Sequence, residues 1–229
     1  MNSQRHYNHR SGGKYEDRLI CTFYNKIGAC RHGEKCSRKH VKPMSSHTVL
    51  LSNLYENPKL NKNNDELVPK QVQQHFDQFY KDVFIKLTDI GEVKAMIVCE
   101  NENDHLNGNV YVRFKEKDSA YNAMVILNQE WFNGRPVHCE LSPVGSFAEA
   151  NCRAYELETC NRGDHCNFMH TRQPTKSVKE SLLSSQEKSL ILKKLNELSQ
   201  DTPEDEPVVE EKVAEPEKVT TSMVQQLFA

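Results

Sequence analysis

Six of the eight cysteines fall into two sets that repeat one spacing. The first is Cys21, Cys30, Cys36 and His40, with gaps of eight, five and three residues. The second is Cys152, Cys160, Cys166 and His170, with gaps of seven, five and three. Three thiolates and one imidazole at short spacing make the donor set of a closed, tetrahedral structural zinc site. Each set spans too few residues to build a hydrophobic core, so the metal must supply the folding energy. The pattern predicts two structural Zn²⁺ ions. A disulfide framework fits poorly, because each set has an odd number of cysteines plus a histidine and the polar N-terminal residues carry no secretory signal. Catalysis at zinc needs an open coordination position, and four protein ligands leave none. With six thiols assigned, no nucleophile or acid–base constellation remains, so an enzyme is not expected. The last two thiols, Cys99 and Cys139, lie in apolar, strand-like runs and read as buried small hydrophobes.

The residues around the ligands suggest what the fingers touch. In the first, Arg31, Lys35, Arg38, Lys39 and Lys42 face a single acid, Glu34, with Phe23 and Tyr24 interleaved. Cations hold phosphates, and an aromatic or guanidinium plane stacks a splayed single-stranded base. The second has Arg153, Tyr155, Arg162, Phe168 and Arg172, diluted by Glu156, Glu158 and Asp164. Phe23 and Phe168 can equally pack over the zinc clusters.

Taken alone, the formal net charge of −2 argues against a nucleic-acid partner. Resolved along the chain, it does not. Residues 201–218 hold eight acids and two lysines, a charge of −6, which leaves +4 on residues 1–200. Proline and glutamate at this density cannot bury enough surface to offset chain entropy, so a disordered acidic tail is expected. Mean hydropathy is −0.75, and no apolar run approaches the ~20 residues of a membrane span, so no membrane partner is expected.

Between the fingers, residues 46–142 read as alternating strands and helices. His47–Leu54 is an apolar run. A helix starting at Pro69 has Val72, Phe76, Phe79, Val83 and Leu87 at spacings of three or four, with Gly91 as its stop. Val93–Cys99 and Asn109–Phe114 look like strands, Asp118–Asn128 like a second helix and Pro136–Leu141 like a final strand. The order β-α-β-β-α-β predicts an α+β, ferredoxin-like split fold, of which the RNA-recognition motif (RRM) is one user. Its two base-stacking signatures are poor here. Asn109 and Leu50 occupy stacking positions, which leaves Tyr111 as the one candidate platform. A protein ligand is favoured for this domain. Trp131, the only tryptophan, sits in a turn with Asn133 and Gly134, where it is either folded back or offered to a partner.

Two C-x7/8-C-x5-C-x3-H fingers flanking a degenerate RRM, together with the strings CTFYNKIGACRHGEKCSRKHVKP, GNVYVRF, LNQEWFNGRPVHCELSPV and CNFMH, resemble the small-subunit family of the U2 auxiliary factor (U2AF) over residues 18–172. These are pre-mRNA splicing factors. The resemblance implies a nuclear protein of the spliceosome that recognises the 3′ splice-site AG. It also implies a heterodimer with the U2AF large subunit, and contacts with other spliceosomal proteins. The central domain would be a U2AF homology motif, gripping a tryptophan of the large subunit between its helices while Trp131, followed by Phe132, docks into that partner. Phe23, Arg31, Ser37 and Arg38 match RNA-contacting positions of the first finger; Arg153 and Phe168 match positions of the second. Ser37, next to Cys36, would sit beside a bound base.

The departures are Glu130, where the family has arginine before the loop tryptophan, and an acidic set on the first helix reduced to Asp77 and Asp82 and diluted by Lys81 and Lys86. The stretch Phe147–Ala154 also lacks one basic residue and one amide of the family pattern, and no Arg-Ser-rich tail is present. Ser177–Leu198 reads as an amphipathic helix with Val178, Leu182, Leu183, Leu190, Ile191, Leu192, Leu195 and Leu198 on its apolar side, either packing on the body or binding a partner. The expected divisions are a disordered N-terminus (1–14), a first finger (15–44), the RRM-like domain (45–145), a second finger (146–173), a helix (174–200) and the tail (201–229). Two rivals remain: a protein adaptor whose fingers are only structural, and another CCCH-type mRNA regulator. The latter expects adjacent fingers, whereas 111 residues separate these.

Overall fold

The computed structural model describes residues 19–60 and 68–200. The expected disordered N-terminus and acidic tail lie outside the described residues.

A five-stranded antiparallel sheet organises the chain. Its strands are β1 (Thr48–Leu51), β2 (Val93–Cys99), β3 (Val110–Phe114), β6 (Cys139–Leu141) and β7 (Thr171–Arg172), in the order β6-β1-β3-β2-β7. Helices α2 (Pro69–Ile90) and α3 (Lys117–Leu127) complete the β-α-β-β-α-β unit. Proline at the first position of α2 pre-sets its backbone, and Val72, Phe76, Phe79, Val83 and Leu87 face inward as their spacing requires. Val49, Leu51, Met96, Val98, Val112 and Phe114 meet them from one side of the sheet. Cys139 belongs to this core and Cys99 is buried on the other face, so both behave as small hydrophobes.

The sequence placed one long strand at Pro136–Leu141. Instead, β4 (Trp131–Phe132) and β5 (Arg135–Pro136) form a tight hairpin, followed by the shorter β6. Its turn residues Asn133 and Gly134 both take left-handed backbone angles, φ 49° and 74°, which Asn-Gly tolerates. The Asn128 side chain then receives the next strand: its Oδ1 accepts from Cys139 N at 2.9 Å and its Nδ2 donates to Cys139 O at 2.7 Å.

The second face of the sheet also differs from expectation. Tyr111, read as a possible RNA platform, is fully buried. Opposite it in the ladder is Leu50, also buried. Ile27 from the first finger and Val144, Ala150 and Met169 from the second finger and its approach cover both. An aromatic flanked by apolar neighbours on an alternating strand gains more from a dry second core than from solvent. Stacking of RNA on this sheet is excluded by the fingers themselves.

Each finger opens with a short helix, α1 (Thr22–Ile27) or α5 (Arg153–Glu156); a further one, α4 (Phe147–Ala150), leads into the second. The final helix α6 (Lys176–Gln200) crosses a boundary between two compact units, the first ending at Ile191 and the second starting at Leu192. Within the first unit, Val178 and Leu182 pack on the core. The Gln186 side chain pairs with the backbone of Val93, accepting from its N at 2.8 Å and donating to its O at 3.0 Å. The expected apolar side of this helix is thus buried only in part: Leu183 and Ile191 are exposed, as are Leu192, Leu195 and Leu198.

Candidate nucleic-acid interface and zinc centres

The eight predicted ligands converge in two groups whose donor atoms all lie within 4.8 Å of one another. In the first, the sulfurs of Cys21 and Cys30 are 3.7 Å apart and those of Cys30 and Cys36 are 3.9 Å apart. In the second, Cys152 Sγ is 3.7 Å from both Cys160 and Cys166, and Cys160 Sγ is 3.4 Å from His170 Nε2. A tetrahedral zinc with Zn–S near 2.3 Å sets sulfurs ~3.8 Å apart, and sulfur and nitrogen ~3.5 Å apart. His40 Nε2 is buried with no hydrogen-bond partner, as an imidazole reserved for a metal must be. Burial lowers the pKa of His170, against the pull of Glu100 and Glu102, and so favours its neutral, ligating form. Each group is a structural zinc site.

The two fingers repeat in three dimensions. Lys39 N donates to Leu19 O and Cys21 N to Lys39 O; Met169 N donates to Ala150 O and Cys152 N to Met169 O. These pairs clip each start onto the residue before its histidine ligand. Gly33 and Gly163, with φ of 47° and 49°, open the turns that deliver Cys36 and Cys166. Three residues after the first cysteine of each finger stands a tyrosine whose ring lies on the histidine ligand, Tyr24 on His40 and Tyr155 on His170. The signal for this role in the sequence is the shared offset of the two tyrosines from Cys21 and Cys152, which composition around the ligands does not reveal.

The loop after β2 fastens the second finger. Glu100 accepts from the Tyr155 hydroxyl at 2.7 Å and pairs with Arg172 at 3.0 Å. Burial, then the Glu100 carboxylate, pushes the pKa of Tyr155 up, so its hydroxyl stays a donor. Asn101 donates to Phe168 O at 2.9 Å and accepts from His170 N at 2.8 Å, while Asn103 donates to Cys166 O at 2.8 Å. The chain after His170 then joins the sheet as β7 beside β2. Nothing in the sequence pattern marked these asparagines.

Of the residues matched to RNA contacts, Phe23, Arg31, Ser37 and Arg38 are exposed on the first finger and Arg153 on the second. Phe168 is half-buried against the core that holds Tyr111.

A separate cleft of about 240 Å³ lies on the helical side of the sheet. Leu51, Leu54, Val83, Leu87, Leu127 and Val137 give it an apolar floor, and Asp82, Lys86, Glu130, Trp131 and Phe132 stand around them. Phe132 packs edge-on against Phe79, with ring centroids 5.6 Å apart, whereas Trp131 is 70% exposed. Asp82 accepts from Gln78 at 2.8 Å. Asp77 is engaged elsewhere: its carboxylate accepts from both the backbone N and the hydroxyl of Thr175, just before α6.

A model of C-x8-C-x5-C-x3-H zinc fingers matches residues 16–42. The splicing factor U2AF 23 kDa subunit of Schizosaccharomyces pombe is 47% identical over 82% of this chain and 88% of its own length. The U2AF 26 kDa subunit of Bos taurus is 47% identical over 74% and 80%, and the U2af 38 kDa subunit of Drosophila melanogaster 46% over 75% and 68%. The chain belongs to the U2AF small-subunit family of splicing factors. Among solved structures, one titled as the RRM of RNA15 is 15% identical over 43% of this chain, with a TM-score of 0.28.

Against the pattern expected of the U2AF small-subunit family, the departure at Glu130 has a counterpart across the cleft. Glu130 Oε1 pairs with Lys86 Nζ at 2.9 Å. The acid before Trp131 therefore meets one of the lysines that dilute the acidic set of α2.

Proposed function

We propose that this chain is the small subunit of a nuclear splicing heterodimer, reading the 3′ splice-site AG of pre-mRNA through its two fingers and holding the U2AF large subunit at the cleft and Trp131. The observation that carries the RNA half is the burial of Leu50 and Tyr111 beneath the fingers, while Phe23, Arg31, Ser37 and Arg38 stay exposed on top. Single-stranded RNA meets the fingers or nothing. The cations of the first finger hold phosphates, and Phe23 and Arg38 offer planes for bases. Arg153 and the exposed part of Phe168 extend the path onto the second finger.

The partner half rests on chemistry at the cleft. Its apolar floor suits one large aromatic side chain, and Asp82 at the mouth suits a basic residue beside it. Asp77, held by Thr175, contributes little. Trp131, 70% exposed next to an anchored Phe132, is an aromatic anchor offered outward. Each contact alone is weak; linkage in one complex raises effective concentration. Other spliceosomal proteins would meet the assembled heterodimer.

The test is titration of short RNAs ending in AG, or in a mutated dinucleotide, with and without the large subunit at two salt concentrations. Preference for AG and affinity that falls with salt are expected. Equal binding of both RNAs under every condition defeats the reading.

A further inference from the structure

We infer that Asn101 and Asn103 are positioning residues of the RNA-reading site: through the backbone of Cys166–His170 they set how the second finger presents Phe168. The inference rests on the function proposed above.

The segment Cys166–His170 holds two zinc ligands and, between them, the one aromatic of the second finger matched to RNA. Its main chain is read out by a single loop from another domain. Asn101, 1% exposed, uses both ends of its amide on it: Nδ2 to Phe168 O at 2.9 Å and Oδ1 from His170 N at 2.8 Å. Glu100 N adds a bond to His170 O at 2.8 Å. Asn103, also buried, bonds Cys166 O at 2.8 Å, and its Oδ1 takes Leu106 N at 3.1 Å, which closes the loop on itself. Buried amides with both ends satisfied fix one geometry, because leaving either end unpaired carries the full desolvation penalty. Zinc alone fixes the sulfurs and the imidazole. The peptide after Phe168 is held at both ends, its N–H (on Met169) by Ala150 O at 3.0 Å within the finger and its carbonyl by Asn101, the one bond on it that comes from the central domain.

The same loop reaches the first finger. Leu106 is fully buried in one cluster with Ile27, beside Tyr111 and Met169. A loop that touches both fingers fixes the spacing between Phe23 and Arg38 on one and Phe168 on the other. RNA spanning both modules needs that spacing defined in advance, since a loose pair loses the advantage of linkage.

The experiment uses the full chain loaded with two zinc equivalents and compares wild type, Asn101→Ala and Asn103→Ala, each also combined with Phe168→Ala. Affinity is measured for an RNA ending in AG and for one with a mutated dinucleotide. Zinc release from each finger to a chelator is followed in parallel. Each asparagine substitution is expected to lower the AG preference about threefold or more while both zinc sites stay filled, and to speed zinc release from the second finger about tenfold. In the Phe168→Ala background the preference should change no further, because the asparagines act through that residue. A merely structural role would lower thermal stability and leave the preference unmoved. Should Asn101→Ala fail to retain two zinc ions, Asn103→Ala decides alone. A wild-type preference that survives in the Asn103→Ala chain overturns the inference and leaves the proposed function standing. Equal binding of both RNAs by the wild-type chain overturns both.

Discussion

Tyr155 lies flat on the imidazole of His170, with ring centroids 4.0 Å apart and 7° between the planes, and its hydroxyl donates to Glu100. One side chain thereby orients a zinc ligand and ties the finger to the sheet. Tyr24 repeats the first half on His40, at 4.4 Å and 7°. Its hydroxyl is buried without a hydrogen-bond partner. The two fingers share a metal-binding plan and differ in how they are fastened: the first by packing of Ile27 and an exposed Lys42–Glu140 ion pair at 2.9 Å, the second by a largely buried polar network.

Replacing Tyr155 by alanine should therefore weaken zinc in the second finger and spare the first. Groups that orient a metal ligand are worth about 10–100-fold in metal affinity. Tyr155→Phe keeps the stacked ring and loses one hydrogen bond to a carboxylate, so about 1.5–3 kcal/mol of stability and little zinc affinity should go. Chelator competition with a separate readout for each finger checks both.

Trp131 and Phe132 are adjacent but face different environments. Trp131→Ala should leave thermal stability within about 0.5 kcal/mol, because the ring is mostly solvated, yet cost about 2 kcal/mol or more in affinity for the large subunit. Phe132→Ala removes a ring packed on Phe79 and should cost about 2 kcal/mol of stability, below the ~3–5 of a fully buried phenylalanine. Unfolding curves and calorimetric titration with the large subunit separate the two.

Tyr111→Leu removes the aromatic face and should still leave RNA affinity unchanged at every salt concentration. The ring is sealed beneath both fingers, so the substitution shows as lost packing, about 1–2 kcal/mol of stability, and not as lost stacking. A loss of RNA binding would restore the sheet as the platform.

What was legible in the sequence was what spacing encodes. Ligand spacing gave both zinc sites, and the 3.6-residue period from Val72 to Leu87 gave α2 with its proline start. The β-α-β-β-α-β order followed from the same patterns. What escaped depends on contacts between distant segments. An alternating strand cannot say whether Tyr111 faces solvent or a docked finger, because a second face of β3 made of Tyr111 and Arg113 suits either. Asn101 and Asn103 sit in a polar loop like any other; their meaning comes from backbone atoms more than sixty residues away. The pairing of Lys86 with Glu130 likewise joins two residues 44 positions apart that look unrelated along the chain.

Cys139 and Cys99 make the protein sensitive to alkali. Burial pushes the Cys139 thiol up to about 12 and Cys99 higher still, from an ordinary value near 9. Below pH 9 folded and unfolded chains both keep these protons. Above it only the unfolded chain releases them, so stability is full below that pH and falls as pH rises, by about 1.4 kcal/mol per pH unit for each thiol. The double substitution Cys99→Ala and Cys139→Ala should be less stable at pH 7 but flatter between pH 9 and 11. Denaturant unfolding across that range gives the slopes, and equal slopes would count against burial as the cause.

Stripping zinc should expose an apolar surface rather than simply loosen two fingers. Each finger is folded by its metal, and together they cover Leu50, Tyr111 and Leu106. The first core, under α2 and α3, uses no residue of either finger and should persist. Chelation is therefore expected to give a chain that keeps its helical signal, binds a hydrophobic dye and aggregates with rising concentration, since a bared sheet face of this kind invites association. Readdition of zinc under reducing conditions should quench the dye. A chelated chain that binds no dye would mean that the fingers stay docked without their metal, which the short helices α1 and α5 are too small to manage unaided.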